Sequence, residues 1–152
     1  MRSKWSNPEE WERLCSGESC PICLQGKPLG IIVELDASFL TAGEEGSPMK
    51  GYCCLVLKRH AVELHELSSE DAAAFMRDVQ RASKAVHEAT GAVKLNYEIH
   101  GNTLPHLHMH LIPRHIGDAF EGQPINPRLV KSPVYGPGEF ADFAARVQEA
   151  VK

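Results

Sequence analysis

Residues 106–112 of this chain read His106-Leu-His108-Met-His110-Leu-Ile112, a strict alternation of polar and apolar side chains. Alternation with a period of two is typical of a β-strand. At about 3.3 Å per residue, such a strand would place three imidazoles on one face, roughly 6.6 Å apart, and the apolar side chains on the other. Strand propensity does not require histidine at every second position, so this stretch is the first candidate for chemistry.

The segments around this strand alternate between helical and extended patterns. Extended patterns are predicted at 30–39, 52–57, 93–99 and 107–112, and helices at 69–89 and 139–151. A further short helix is predicted to start at Asn7-Pro8 and to end near the cysteines. Residues 115–138 contain four prolines and are predicted to form a long, mostly irregular loop. Helices separated by short, hairpin-compatible strands favour an α+β fold with an antiparallel sheet.

The longest predicted helix has clear signals at both ends. Ser68 or Ser69 can cap its start, and Gly91 stands where a C-terminal glycine belongs. Its apolar residues recur at helical spacing and predict one buried stripe. That stripe comprises Phe75, Met76, Val79, Ala82, Val86 and Ala89.

Length and composition exclude several classes of protein. The chain has 152 residues, which predicts one domain over 1–152, and its formal charge of −4 argues against a nucleic-acid-binding role. Hydrophobic residues make up 43%, enough for a packed core. No apolar run approaches the roughly 20 residues of a membrane span, and the first residues lack a secretory signal. We therefore expect neither nucleic acid nor membrane as a partner.

The cysteines indicate reduced thiols and a candidate metal site. Their number is odd, at 15, 20, 23, 53 and 54, which predicts a cytoplasmic protein without a disulfide framework. Cys53 and Cys54 are interpreted as small buried apolar residues. Cys20-Pro-Ile-Cys23 can hold a tetrahedral metal or form a redox pair. Zinc is favoured because the pair precedes an extended run instead of following a strand.

The chemistry of neighbouring imidazoles suits phosphorus. A neutral imidazole held through one nitrogen is a good nucleophile near neutral pH, and a protonated neighbour can offer N–H donors and positive charge to phosphate oxygens. Asn102 and Thr103, after Gly101, add a carboxamide and a hydroxyl suited to phosphate or ribose.

The motif His106-Leu-His108-Met-His110-Leu-Ile112 resembles the histidine triad signature of the HIT superfamily. Asn96 and Asn102-Thr103 upstream and Pro113-Arg114 downstream agree with it, and the resemblance extends from about residue 20 to residue 114. It implies an antiparallel sheet of about five strands, one long central helix and short terminal helices. It also implies a homodimer.

The resemblance implies a nucleotidyl-histidine mechanism. His108 would attack the α-phosphorus of a nucleotide, and His110 would contact the α-phosphate. Asn102 and Thr103 would hold phosphate oxygens or the leaving group, and Asn96 would support the site. The implied reaction is hydrolysis or nucleotidyl transfer on an adenine nucleotide, with dinucleoside polyphosphate hydrolysis as the first expectation.

The same resemblance implies a structural zinc site formed by Cys20, Cys23, His60 and His106. Two departures concern recognition. Gly51-Tyr52 stands where many members have Gly-His, and Glu44 or Glu45 stands where they often have an Asp for the ribose.

Two other interpretations remain open. A non-catalytic, zinc-stabilised nucleotide-binding module would keep the pocket without turnover, and a metal-handling protein would use the histidine strand directly. His65, His87 and His115 are interpreted as surface residues. Arg114 and Arg128 are candidates for a second phosphate, since Arg pairs with oxyanions in a bidentate manner.

Overall fold

The computed structural model describes residues 4–130 and 133–152. Within them lie four α-helices: α1 (Pro8–Cys15), α2 (Pro21–Gln25), α3 (Ser69–Thr90) and α4 (Glu139–Val151). The strands are β1 (Ile31–Glu34), β2 (Ser38–Thr41), β3 (Cys53–Leu57), β4 (Lys94–Glu98) and β5 (His108–Arg114). The α+β class, the long central helix and the sheet of about five strands are confirmed.

The five strands form one sheet in the order β1-β2-β3-β5-β4, and every neighbouring pair is antiparallel. After β3 the chain passes through α3 to the edge strand β4, and β5 returns between β3 and β4. The histidine strand therefore has a hydrogen-bonded neighbour on each side. This position fixes which of its side chains face the core and which face outward.

The first extended segment is a hairpin, so the expectation of one strand over 30–39 is wrong. The chain turns at residues 35–37 between β1 and β2. No glycine or proline marks this turn. It is held instead from α3, where the Asp78 carboxylate accepts hydrogen bonds from the Ala37 backbone N–H at 2.8 Å and the Ser38 hydroxyl at 2.7 Å.

Helix α3 covers one face of the sheet through the stripe that its sequence predicts, with one exception. Phe75, Val79 and Val86 are buried among the strands, whereas Met76 is 46% exposed and does not belong to the core. Asp78 takes a place on the buried stripe instead and is completely enclosed. The rest of the core includes Leu40, Cys53, Leu55, Leu57, Met109, Leu111, Phe143 and Val147.

The helix ends agree with the sequence signals. Ser68 Oγ accepts from the backbone N–H of Asp71, Gly91 adopts a left-handed conformation, and Asn7 caps α1. Between β5 and α4 the described residues contain one short 3-10 turn, Pro127–Leu129. No helix in the described ranges is both long and apolar enough to cross a membrane.

The outward face of β5 carries two of the three histidines. His108 pairs across the sheet with Val56, and His110 pairs with Cys54 on β3 and with Glu98 on β4. His106 precedes the strand and is almost completely buried, so the expectation of three imidazoles on one strand face is wrong for this residue. The chain turns at this point, which directs the first imidazole to a different set of partners.

Candidate active site and metal site

His108 is oriented by the backbone of the histidine that precedes it in the motif. Its Nδ1 lies 2.7 Å from the carbonyl oxygen of His106. A carbonyl can only accept, so Nδ1 carries the proton and donates, and the lone pair of a neutral ring is at Nε2. His108 is half-buried. The structure therefore presents one unprotonated nitrogen, which is what a nucleophile requires.

His110 lies beside His108, and its imidazole has a lowered pKa. The two rings meet edge to face with centroids 4.8 Å apart. Burial first, and then the neighbouring His108 and His100, lower the pKa of His110 to about 4, although Glu98 acts in the opposite direction. His110 is therefore neutral near pH 7 and carries one N–H that it can donate, so the expectation of a protonated imidazole beside the nucleophile is wrong for this residue.

Tyr52 and Cys54 contact His110, and the sequence analysis assigned neither to the site. The Tyr52 hydroxyl lies 2.5 Å from Nδ1 of His110 and the Cys54 Sγ lies 3.1 Å from the same atom. Cys53 is buried as expected, but Cys54 is only half-buried, so its interpretation as core is wrong. Adjacent strand residues face opposite ways, so the pair of cysteines already indicated that one of them would share the histidine face.

Hollows open on both sides of Tyr52. One, of about 240 Å³, is lined by Glu98 and His100 and by an apolar wall of Ile112, Ile125, Pro127 and Val130. In it, Nε2 of His100 lies 2.9 Å from the Glu98 carboxylate. The other, of about 290 Å³, lies beside Thr41, Ala42 and Cys54. A ligand with two parts can thus extend to either side of Tyr52.

Three residues expected at the substrate lie at differing distances from the histidine pair. Asn96 is on the same face of the sheet but stands opposite Ile112, and it lines a neighbouring hollow of about 420 Å³ beside Arg114. Asn102 and Thr103 are exposed in the turn before β5. Their roles stay predictions.

The Arg114 side chain is buried in contacts with the protein itself, so its expected role at a second phosphate is wrong. The side chain is 9% exposed and forms a two-point ion pair with Asp118. It also donates to the carbonyl oxygens of Phe120 and Gln123. The pKa of Asp118 is held well below its usual range, chiefly by the hydrogen bond from Arg114. The Arg114 guanidinium therefore holds the loop that follows β5. The other candidate was Arg128, whose side chain lies outside the described residues.

A second cluster brings together the four expected metal ligands, which come from three separate segments of the chain. Cys20 caps the start of α2, Cys23 lies within it, His60 follows β3 and His106 precedes β5. Their ligand atoms all lie within 4.8 Å of one another. Nδ1 of His106 lies 3.4 Å from the Cys20 Sγ and 3.3 Å from Nδ1 of His60. The Cys23 Sγ lies 3.3 Å from Nδ1 of His60.

These separations suit a tetrahedral ion. Zinc bonds of about 2.0–2.3 Å place neighbouring ligand atoms about 3.3–3.8 Å apart. Nε2 of His60 lies 2.8 Å from the Cys15 carbonyl oxygen and Nε2 of His106 lies 2.8 Å from that of Leu57. Both rings therefore donate through Nε2 and turn the Nδ1 lone pair toward the centre, as metal-binding histidines do.

The two thiols also need a cation in order to ionise together. Partial burial, followed by the hydrogen bond and charge of Cys20, raises the pKa of Cys23 to about 11. A dication between the sulfurs offsets the repulsion between the two thiolate charges. With four protein ligands the cluster has no vacant position, which is the composition of a structural site.

The surface histidines agree with expectation in part: His65 and His87 are exposed, whereas His115 is half-buried.

Comparison with known proteins gives a consistent result. The family model described as "HIT domain" matches residues 30–117. The chain is 30% identical over 89 residues to adenosine 5′-monophosphoramidase hnt1 of Schizosaccharomyces pombe, covering 55% of this chain and 67% of that relative.

Solved structures of similar fold include two bacterial proteins. A histidine triad protein from Bradyrhizobium japonicum superposes with a TM-score of 0.69 and 28% identity, covering 80% of this chain and 90% of the other. A zinc-bound histidine triad family protein from Mycobacterium smegmatis gives 0.64 and 21%, covering 88% and 94%. The matched region includes β1 to β5 together with His108 and His110, and on this basis the chain belongs to the HIT domain family.

Proposed function

We propose that this protein is a nucleotide hydrolase or nucleotidyl transferase that cleaves at the α-phosphate of a nucleoside phosphoramidate or polyphosphate. The observation that carries the proposal is the 2.7 Å hydrogen bond from Nδ1 of His108 to the His106 carbonyl, which leaves Nε2 as the nucleophilic nitrogen. The phosphoramidase activity named for the Schizosaccharomyces pombe relative supports the same bond type.

In the proposed reaction Nε2 of His108 forms a bond to the α-phosphorus while the bond from phosphorus to the leaving group breaks. The leaving atom departs with the electron pair and takes up a proton from solvent, as an amine does when a phosphoramidate is cleaved, and the water that attacks in the second step releases its proton to solvent. The neutral His110 donates its N–H to a phosphate oxygen on which negative charge develops. Water, or another acceptor, then attacks the nucleotidyl-His108 intermediate and restores the imidazole.

Charge in the hollow of about 240 Å³ favours a phosphoramidate over a dinucleoside polyphosphate. The Glu98 carboxylate faces His110 across the β4–β5 pair and lines this hollow. A polyphosphate leaving group would place further negative charge near this carboxylate, which is unfavourable, whereas an amine would not. We therefore rank adenosine 5′-phosphoramidates first and retain dinucleoside polyphosphates as the second substrate class.

We further infer that the Cys20, Cys23, His60 and His106 cluster holds a structural zinc ion. When bound, the ion would fix the N-terminal segment against the turn before β5. The backbone carbonyl of His106 would then be held where Nδ1 of His108 reaches it. The zinc reported for the Mycobacterium smegmatis neighbour belongs to a protein of the same fold and supports the choice of metal.

The test combines a substrate panel with removal of the nucleophile. We expect adenosine 5′-phosphoramidate to be hydrolysed to AMP, with diadenosine tetraphosphate and a nucleotide sugar as comparison substrates. His108→Ala should lower turnover at least about a thousandfold while AMP binding and the melting temperature are retained. Mass spectrometry of acid-quenched protein should detect a nucleotidyl adduct in the native chain only.

His87→Ala is the matched control, because His87 is exposed on α3 and far from the motif in sequence. It should behave as the native protein does. Full activity of His108→Ala would refute the mechanism, and saturable AMP binding without turnover of any substrate would establish the non-catalytic module instead.

A further inference from the structure

The hydroxyl of Tyr52 makes the shortest polar contact of His110 among the described residues. The Oη to Nδ1 distance is 2.5 Å, and the two rings stack with centroids 5.8 Å apart and an interplanar angle of 25°. Burial first, and then Cys54, raise the pKa of Tyr52 well above its usual range. The phenol therefore keeps its proton and can donate it in a hydrogen bond.

The direction of this hydrogen bond decides which nitrogen of His110 carries the ring proton. When the Tyr52 hydroxyl donates to Nδ1, that nitrogen must hold a lone pair, and the single proton of the neutral ring is at Nε2. The Cys54 Sγ lies 3.3 Å from the Tyr52 oxygen, so its thiol can donate to that oxygen. Thiol, phenol and imidazole then form a chain of hydrogen bonds that ends at Nδ1.

The backbone that leads into Tyr52 is held at Gly51. Gly51 has a φ of +80°, and a Cβ at this residue would collide with the side chains of Thr90 and Pro113. The Gly51 N–H donates to the Tyr135 hydroxyl at 2.7 Å. The residue before Tyr52 is thus held against α3, β5 and the segment that precedes α4, which leaves the phenol little freedom to move away from His110.

We propose that Tyr52 is a positioning residue that holds His110 in its Nε2–H tautomer, so that this N–H is available to a phosphate oxygen beside His108. The inference rests on the proposed nucleotidyl transfer at His108. An imidazole free to exchange tautomers would present a lone pair to the phosphate for part of the time, and a lone pair repels the oxygen. Tyr52 removes that unfavourable form before substrate arrives.

The first experiment measures the tautomer directly and needs no substrate. In protein labelled with ¹⁵N in histidine, the ring nitrogens of His110 should show Nε2 protonated and Nδ1 unprotonated at pH 7. Tyr52→Phe keeps the ring and removes the hydroxyl, and it should produce averaged nitrogen shifts that indicate a mixture of tautomers. A native protein with Nδ1 protonated, or unchanged shifts in Tyr52→Phe, would overturn the proposal.

The second experiment is kinetic. With adenosine 5′-phosphoramidate, Tyr52→Phe should lower kcat about three- to tenfold, the size expected for one hydrogen bond, and leave KM unchanged. Tyr97→Phe is the matched control, because Tyr97 lies on β4, 49% exposed and opposite Leu111, away from the histidine face. It should leave kcat and the His110 shifts unaltered. Unchanged kcat in Tyr52→Phe would count against the proposal.

Cys54→Ala distinguishes the role of the Tyr52 phenol from that of the Cys54 thiol, since both lie within reach of Nδ1 of His110. It should preserve the Nε2–H tautomer, because Tyr52 remains the direct donor. If Cys54→Ala mixes the tautomers and Tyr52→Phe does not, the thiol is the donor and the proposal is wrong. If the native protein turns over no nucleotide, the proposed function fails, and the nitrogen shifts still decide the role of Tyr52.

Discussion

The carbonyl oxygen of His106 accepts a hydrogen bond from Nδ1 of His108 at 2.7 Å, while Nδ1 of His106 itself is turned toward the cysteines. A ligand of the candidate metal site and the candidate nucleophile are therefore joined through one backbone carbonyl. The Nε2 atom of His106 is fixed in addition by the Leu57 carbonyl at 2.8 Å. Changes at the metal site should reach the nucleophile through this connection.

The first prediction concerns loss of the metal. The native protein should contain about one zinc per chain, and Cys20→Ser combined with Cys23→Ser should contain none. Melting temperature and kcat should both fall, because the turn that bears the His106 carbonyl loses its anchor. Metal analysis, thermal unfolding and turnover measure these effects.

Cys15→Ser is the control for this variant. The Cys15 thiol lies outside the four-residue cluster, and its contribution is the backbone carbonyl that accepts from His60, which the substitution keeps. Zinc content should therefore be unchanged. A metal-free native protein of equal stability would rule out the zinc site.

The second prediction concerns protonation of His110. Its folded pKa of about 4 lies below the ordinary value of 6.5, so between these values the unfolded chain binds more protons than the folded one. This contribution to stability is present above about pH 6.5 and is lost as the pH falls toward 4. Nuclear magnetic resonance titration of the His110 ring should give the low pKa directly.

Two substitutions test the causes of that low pKa. His100→Ala removes a neighbour whose charge lowers it and should raise the pKa of His110. Glu98→Gln removes a carboxylate that acts in the opposite direction and should lower it further. Shifts of the reverse sign would contradict the electrostatic account of the site.

The third prediction concerns Asp78. Asp78→Ala leaves the Ala37 N–H and the Ser38 hydroxyl without their acceptor, and we expect a loss of about 2 kcal/mol in the free energy of unfolding. Urea denaturation measures it. Glu88→Ala on the exposed side of the same helix removes only a long contact with Lys84 and should change little. An equal effect of both substitutions would refute a special role for Asp78.

The fourth prediction concerns Gly51. Gly51→Ala should be destabilising because of its positive φ and because the new methyl group would meet Thr90 and Pro113. Gly117 has a φ of +78° and open space where a new Cβ would lie, so Gly117→Ala should lose only the stability that the strained backbone conformation costs. The difference between the unfolding free energies of the two variants measures the cost of the steric collision at residue 51, which we expect to be about 1–3 kcal/mol. Equal losses would show that the neighbours move aside.

The sequence predicted most of the elements, because hydrophobic periodicity and helix caps are local signals. It missed the turn between β1 and β2, since that turn depends on Asp78, some 40 residues away. Met76 was placed in the core on spacing alone. Asp78 occupies the same stripe between Phe75 and Ala82, and a carboxylate at such a position was a signal for a buried acceptor.

For the site, the Cys20/Cys23 pair followed from its spacing, and the other two metal ligands and the roles of the histidine pair followed from the resemblance to the HIT superfamily, whereas the partners of His110 did not. Tyr52 and Cys54 reach His110 only because β3 pairs with β5 in one register, and this register is a property of the assembled sheet. The homodimer and the cytoplasmic location stay predictions from the sequence.

The hydrogen bond from Gly51 to Tyr135 has a consequence for how far the functional unit extends. Tyr135 lies beyond the region 30–117 that the family shares, and Cys20 and Cys23 lie before it. A fragment trimmed to residues 30–117 would lose two of the four candidate metal ligands and the hydrogen bond that supports the backbone before Tyr52. We therefore expect the smallest piece of this chain that folds to be longer than the region that the family model matches.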